Sequence, residues 1–431
     1  MPQDQPTMSH PRGSDWERKI LPLRQQAAVT DRWLETRLET VLSEVMRREG
    51  FDMLVLLARE GNGEAVMATM LPASAGFRRL AVLLFHLRAD GRLERLTVSR
   101  YGYGRFYEAG WDPAKEDQWE CLGRLVRERD PKAIAVDVSE GFALADCLGH
   151  TLHERFLGAI GPDCAARVRG GERLALGWLE RRTKDEIDSY PGIVQIAHGV
   201  IAEAFSGRVI HPGITTPRDV GWWIRQRLWD LGLPTWFHPD IDIQRQGAVE
   251  KGGDAPGLDA AILPGDVLHC DVGFHYLGLA TDHQEMAYVL RLGEADAPQG
   301  LQAALAAGNR LQEIVVAEFV AGRTGNEILR ASLARAAAEG IEGRVYTHPL
   351  GYHGHGAGPT IGLWDQQAGV PGQGDYELFD DTCYALELVA RKAVAEWSGQ
   401  VVAMPLEQDI VFTGGRVHFL DGRQTRFHLI G

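Results

Sequence analysis

Cysteine is scarce in this sequence: five in 431 residues, an odd number, with no C-x-x-C spacing. That pattern excludes a disulfide framework and a structural zinc ribbon, and a reducing cytoplasm is the expected compartment. Also missing is any apolar run near the roughly 18 residues that a membrane-spanning helix needs. The first ten residues are polar and proline-containing, without the apolar stretch of an export signal. Basic charge is deficient, since 45 Lys and Arg stand against 59 Asp and Glu for a net charge of −14. Such a surface repels phosphate backbones and anionic lipid, so neither nucleic acid nor a membrane is an expected partner. What remains is ordinary globular composition, 45% apolar and 24% charged, over a length that at about 150 residues per domain suits two or three domains.

The chain divides by its periodicities. Residues 1–16 read as a disordered lead-in. Residues 17–170 alternate helical and strand patterns, with Ala89-Asp90-Gly91 as a hairpin turn and 132–137 as a buried strand, the signature of an α/β domain. From 171 to 431 helices and strands form a second domain. There Thr216 precedes Pro217, a favoured first helical residue, and Val220, Trp223, Ile224, Leu228 and Leu231 form one stripe that stops at Gly232. Pro191 is expected to kink or break the helix before it. Thr324-Gly-Asn-Glu327 has capping-box spacing, and the order helix, Gly-Arg, capped helix occurs twice, at Gly207-Arg208 and Gly322-Arg323. Read as an internal repeat, it predicts two similar halves around a cleft. Trp222, Trp223, Trp229 and Trp236 read as buried packing.

Four acidic residues interrupt apolar, strand-like runs in the last 170 residues: Asp271, Asp282, Glu387 and Glu407. A carboxylate buried alone costs several kcal/mol or takes up a proton, so each calls for a cation. A tight hairpin about Tyr276-Leu277 sets Asp271 directly opposite Asp282, where two carboxylates repel unless a positive charge lies between them. Between the acid pairs lies His348-Pro-Leu-Gly351-Tyr-His353-Gly-His355, three histidines among small residues that let a ligand approach the backbone. Four carboxylates and one neutral imidazole balance two divalent cations, and the oxygen-rich set suits manganese, with cobalt or zinc as substitutes. Two such ions hold a bridging hydroxide and polarise a carbonyl, which points to metal-assisted hydrolysis.

In order and context these residues resemble the pita-bread metallopeptidases, the family of methionine aminopeptidase, prolidase and aminopeptidase P, across about 174–411. The family's ligands run Asp, Asp, His, Glu, Glu, matching Asp271, Asp282, His348, Glu387 and Glu407. The proline-specific branch carries H-x-x-G-x-x-x-H from the metal-binding histidine, and His348 to His355 has that form. The resemblance implies a creatinase-like α/β amino-terminal domain, then an α+β pita-bread catalytic domain with pseudo-twofold halves. It further implies a homodimer and a dinuclear peptidase cleaving short peptides, with Xaa-Pro bonds preferred. The alternatives are a related metal-dependent amide or phosphoester hydrolase, or a binding protein that kept the fold.

Carried over residue by residue, the resemblance makes Asp271 a chelator of one metal, Asp282 and Glu407 bridging ligands, and His348 with Glu387 ligands of the second. Glu387 becomes the proton shuttle and His355 the contact to the carbonyl or tetrahedral oxyanion, with His353 assisting. Arg391 stands where a tyrosine is common and is a candidate substrate contact. His238 is the candidate for a histidine that the family carries upstream, near Asp254. The chain departs from the pattern at Glu387-Leu388-Val389 for Glu-Pro-Gly, His283-Gln284-Glu285 for Ile-Thr-Arg, and Pro405 for an arginine. The Gly- and Pro-rich segment 356–381 reads as a lid over the cleft.

Overall fold

A computed structural model describes residues 15–248 and 256–431. Most of the expected lead-in, and the position near Asp254, lie outside the described residues. Trp16, at the end of that lead-in, is buried, and its ring lies where a Cβ on Gly199 would sit. The chain forms two compact units, one of residues 22–183 and one of 184–431 with the amino-terminal segment to Leu21. The division therefore falls after the expected 170/171 border. Helix Glu172–Glu180, whose Leu174, Ala175, Leu176 and Trp178 are buried, is counted with the first unit.

In the first unit six strands form one sheet, in which Met53–Arg59 pairs antiparallel with Leu80–Leu87 and parallel with Ile134–Val136. Met53, Val55, Leu57, Val82, Leu84 and Ile134 build its core, following from the continuous apolar runs of these strands. The hairpin predicted at Ala89-Asp90-Gly91 is present, with Leu87 opposite Leu93.

Elements of the second unit begin with α1 (Lys184–Ala204) and α2 (Pro217–Asp230). Pro191 does not end α1: the helix runs through it, because Ile193, Val194, Ile196, Ala197, Val200 and Ile201 beyond it bury a continuous face. Thr216 and Asp219 cap α2 reciprocally and Pro217 opens it, as the sequence predicts. Trp222 and Trp229 overturn the packing expectation, since 56% and 74% of their surface is exposed. They occupy the outward side of α2, while Val220, Ile224 and Leu228 face in.

Three strands follow, β1 (Asp240–Gln244), β2 (Val267–Tyr276) and β3 (Leu279–Val289), forming an antiparallel sheet. A second helix pair, α3 (Gln299–Ala317) and α4 (Gly325–Ala338), is again followed by strands, in keeping with the expected repeat. These are β4 (Glu342–Val345), β5 (His348–Leu350), β6 (Thr382–Ala385), β7 (Leu388–Val394), β8 (Gln400–Leu406), β9 (Asp409–Thr413), β10 (Arg416–Phe419) and β11 (His428–Ile430). Strands β4, β7 and β8 make one sheet and β5, β6, β9 and β10 another, while β11 joins β3.

At three two-residue corners the chain passes directly from one sheet into another: at Tyr346-Thr347, at Leu386-Glu387 and at Glu407-Gln408. Side chains at such corners are released from the strict two-residue alternation of a strand. Segment 356–381 is no free lid. Asn326 donates to Val370 O (3.0 Å) and Asp375 Oδ1 (2.8 Å), Gln367 Nε2 donates to Val345 O (2.8 Å), and Ile361 pairs with Thr347.

Candidate metal centre

Register decides how the first two acids meet. The hairpin turns at Leu277-Gly278, both at positive φ (54° and 74°), so Asp271 lies opposite Gln284 and Asp282 opposite Gly273. This corrects the expected direct opposition. A two-residue turn of this hand needs positive φ at both central positions, which Gly278 adopts without strain. Asp271 and Asp282 remain on one face as diagonal neighbours. Each therefore reaches Glu407, and ligand atoms of the three lie within 4.8 Å of one another.

The sheet corners deliver the rest. His348 follows the first crossing, and Glu387 and Glu407 sit in the second and third. Ligand atoms of His348, Glu387 and Glu407 also lie within 4.8 Å of one another, as do those of Asp282, His348 and His355. All five residues picked from the sequence come together.

Several of their atoms face one another without a donor between them. Nδ1 of His348 contacts Pro349 O at 3.1 Å, which turns Nε2 inward. That Nε2 lies 3.2 Å from Glu407 Oε1 and 3.5 Å from Asp282 Oδ2, yet it makes no well-formed hydrogen bond. Asp271 Oδ1, Asp282 Oδ1 and Glu407 Oε1 are likewise buried without a hydrogen-bond partner. Converging lone pairs of this kind fit a divalent cation.

Electrostatics agree. Burial, then the charge of Glu407, raises Asp271 to about 7. Burial and the neighbouring carboxylates push Asp282 well above the usual range, and burial with Glu407 does the same for Glu387. Burial pulls His348 down, but Glu407 and Glu387 outweigh it and bring the imidazole to about 9. Without a cation the cluster holds protons; a cation replaces them.

His355 is exposed, its ring 4.7 Å from that of His348 and 5.2 Å from Trp236. Burial of the ring atoms and the charge of His348 lower its pKa to about 4. Trp236 is held in turn: a Cβ on Gly273 or on Gly354 would strike its ring at 2.2 Å, and its Nε1 donates to Thr281 O at 3.0 Å. Tyr346 Oη lies 3.4 Å from His355 Nε2.

The remaining expectations separate. Arg391 lines a cavity of about 620 Å³ beside Glu387, with Arg344, Tyr346 and Trp364. His353 is half-buried and belongs to none of the ligand groups; its carbonyl accepts from Gly351 N at 3.2 Å. His238 does not reach the cluster. Its ring lies tilted against that of Trp222 at 4.8 Å and its Nδ1 lies 3.1 Å from Arg225, because α2 rather than the cleft faces it.

Sequence reasoning missed Gln284, His269 and Tyr346. Each stands two positions from an expected ligand in or beside a strand, so the twofold alternation of side chains was the available signal. Gln284 Nε2 donates to Glu387 Oε1 and to Glu407 Oε2, both at 2.9 Å. The alternate residues of β3 face away: Glu285 bonds His428 at 2.5 Å and lies 3.6 Å from His198, and His283 meets His198 edge-on at 4.9 Å. That buried layer accounts for His283 and Glu285 in place of Ile and Arg, while Gln284 in place of Thr faces the cluster.

Residues 192–413 match the metallopeptidase family M24. No curated protein matches the sequence. Among solved structures, an X-Pro aminopeptidase from Thermotoga maritima MSB8 is similar at TM-score 0.64 and 16% identity, over 90% of this chain and 99% of that one. An Xaa-Pro dipeptidase from Bacillus anthracis is similar at TM-score 0.60 and 15% identity, over 95% and 100%. The amino-terminal domain of the FACT complex subunit SPT16 from Cicer arietinum is similar at TM-score 0.54 and 11% identity, over 93% and 99%. At these identities the likeness is one of fold.

Proposed function

The chain belongs to metallopeptidase family M24, and from that premise we propose that it is a metal-dependent peptidase acting on short peptides, with Xaa-Pro bonds preferred. Its fold is the pita-bread catalytic unit preceded by a creatinase-like unit. One observation carries the reading: the buried His348 Nε2, Asp271 Oδ1, Asp282 Oδ1 and Glu407 Oε1, all without hydrogen-bond partners, belong to residues that converge in one cluster. The ligands would be Asp271, Asp282, His348, Glu387 and Glu407, a set suited to a pair of ions with manganese preferred over zinc or cobalt. Bound divalent cations supply Lewis-acid polarisation of a carbonyl and a water acidified to near neutral pH.

The protein's own groups do the remainder. Glu387, at the cavity wall and raised in pKa, takes a proton from the attacking water and returns it to the leaving amine. His355, neutral at pH 7 and steadied by Trp236, donates to the oxyanion. Arg344 and Arg391 draw an anionic peptide group to the cavity. Proline preference draws support from the H-x-x-G-x-x-x-H segment and from the fold shared with the Xaa-Pro peptidases. Homodimeric assembly and a cytoplasmic location rest on the family resemblance and the cysteine pattern. A binding protein that kept the fold is disfavoured because every ligand type persists.

Digestion of a peptide library by the metal-stripped protein, with manganese, zinc and cobalt added back separately, tests the reading. Cleavage that requires added metal and falls at Xaa-Pro bonds is expected. Cleavage that survives complete metal removal contradicts it.

A further inference from the structure

Behind β3, on the side away from the cluster, acids and imidazoles alternate in a row. Asp421 Oδ2 lies 2.9 Å from His198 Nδ1, His198 Nε2 lies 3.6 Å from Glu285 Oε1, and Glu285 Oε2 lies 2.5 Å from His428 Nε2. The helix α1 contributes His198, β3 contributes Glu285 and β11 contributes His428. Glu285 and His198 are buried, and charges so placed are costly unless each meets its opposite.

The neighbours of His198 fix its charge. Its Nδ1 faces Asp421, and its Nε2 faces Gln408 Oε1 at 3.2 Å as well as Glu285, so acceptor oxygens meet both ring nitrogens. A neutral imidazole would set a lone pair against one of them, whereas the imidazolium donates at both ends. Burial opposes that charge, but Asp421 and Glu285 outweigh it and raise the pKa of His198. His283 is kept neutral beside it, because burial and the charge of His198 pull its pKa well below the usual range.

Two routes lead from this ring to the cluster. Glu285 directly follows Gln284 on β3, and the two side chains take opposite faces of the strand. Gln408 lies between Glu407 and Asp409; its carbonyl accepts from Leu386 N at 2.9 Å, next to Glu387, and Asp409 Oδ1 accepts from Asp282 N at 3.2 Å.

We infer that His198 is a positioning residue: its buried imidazolium ties Asp421, Gln408 and Glu285 together behind the centre and so fixes the strands and corners that present Asp282, Glu387 and Glu407. The effect on turnover rests on the peptidase reading of the cluster; the charge of the ring does not. Loss of an outer partner of this kind costs about 10- to 100-fold in activity or metal affinity.

Nitrogen NMR of the metal-free, full-length protein with isotope-labelled histidine tests the charge. Both ring nitrogens of His198 should carry a proton at neutral pH, the signals being assigned by their loss in His198→Gln or, where that variant does not fold, by contact of the ring protons with those of His283. A neutral ring overturns the inference. Kinetics test the role. His198→Gln should lower kcat about 10- to 100-fold with KM little changed, since Glu285 and Asp421 lose their shared cation. His198→Gln/Glu285→Gln removes one of those carboxylates and should recover most of the loss, which a space-filling role would not allow. Losses that simply add overturn the inference. If the wild type cleaves no peptide, the peptidase reading falls, and manganese affinity by calorimetry judges His198 instead: it should weaken in the single variant and return in the double. Equal affinity in all three proteins overturns the positioning role.

Discussion

Gln284 and Glu407 are joined three times: by main-chain hydrogen bonds of 3.1 Å in both directions and by a 2.9 Å bond from the Gln284 amide to Glu407 Oε2. This bridge ties β3 to the corner between β8 and β9, elements more than a hundred residues apart in sequence. It brings Asp271 and Asp282, on one sheet, against His348, Glu387 and Glu407, which come from the sheet corners.

Glu387→Gln keeps the side chain's shape and its contact with Gln284 while removing the proton acceptor. Turnover should fall by about 10²- to 10⁴-fold or more with an unchanged thermal melt. Steady-state kinetics beside circular dichroism checks this, and an unaltered kcat would take Glu387 out of proton transfer.

His355→Ala removes an exposed ring that packs edge-on to His348 and Trp236. If it serves as an oxyanion donor, kcat should drop about 10²- to 10³-fold, with KM little changed. A fall in stability without a kinetic loss would reassign the ring to packing.

Arg344 and Arg391 lie on adjacent antiparallel strands, Arg391 opposite Glu342 and Arg344 opposite Val389, and both line the cavity. The double change Arg344→Ala/Arg391→Ala should raise KM for anionic peptides by about 2- to 10-fold and leave kcat near wild type, as for partly solvated charges. Amidated peptides, which carry no terminal carboxylate, supply the comparison. Equal KM changes for both peptide types would speak against anion recognition.

In the first unit Asp137 is buried beside Glu64, and burial followed by that neighbour raises its pKa well above normal. The folded state therefore keeps a proton that the unfolded chain loses above about pH 4. This contribution to stability is full at low pH and is lost as pH rises toward the folded pKa, at up to about 1.4 kcal/mol per pH unit. Asp137→Asn should flatten the profile in denaturant melts at about pH 5 and about pH 8. Parallel profiles for the two proteins would remove Asp137 as the cause.

The candidate ligands were legible in the sequence because a carboxylate inside an apolar strand is anomalous wherever the strand goes, and Asp271, Asp282, Glu387 and Glu407 all carry that mark. Helix limits at Thr216 and Thr324 were equally readable, since capping is local chemistry. The proline in α1 misled because burial of a helix face outweighs one lost hydrogen bond. Register, the corners and the partners of each side chain were set by tertiary structure. The one-step difference in turn position, the tethering of 356–381 and the outward tryptophans all depend on long-range contacts, to which local pattern is blind. The sequence alone marked the candidate ligands and the chemistry they favour; only the fold, by bridging Gln284 to Glu407, decided that an amide lies among them.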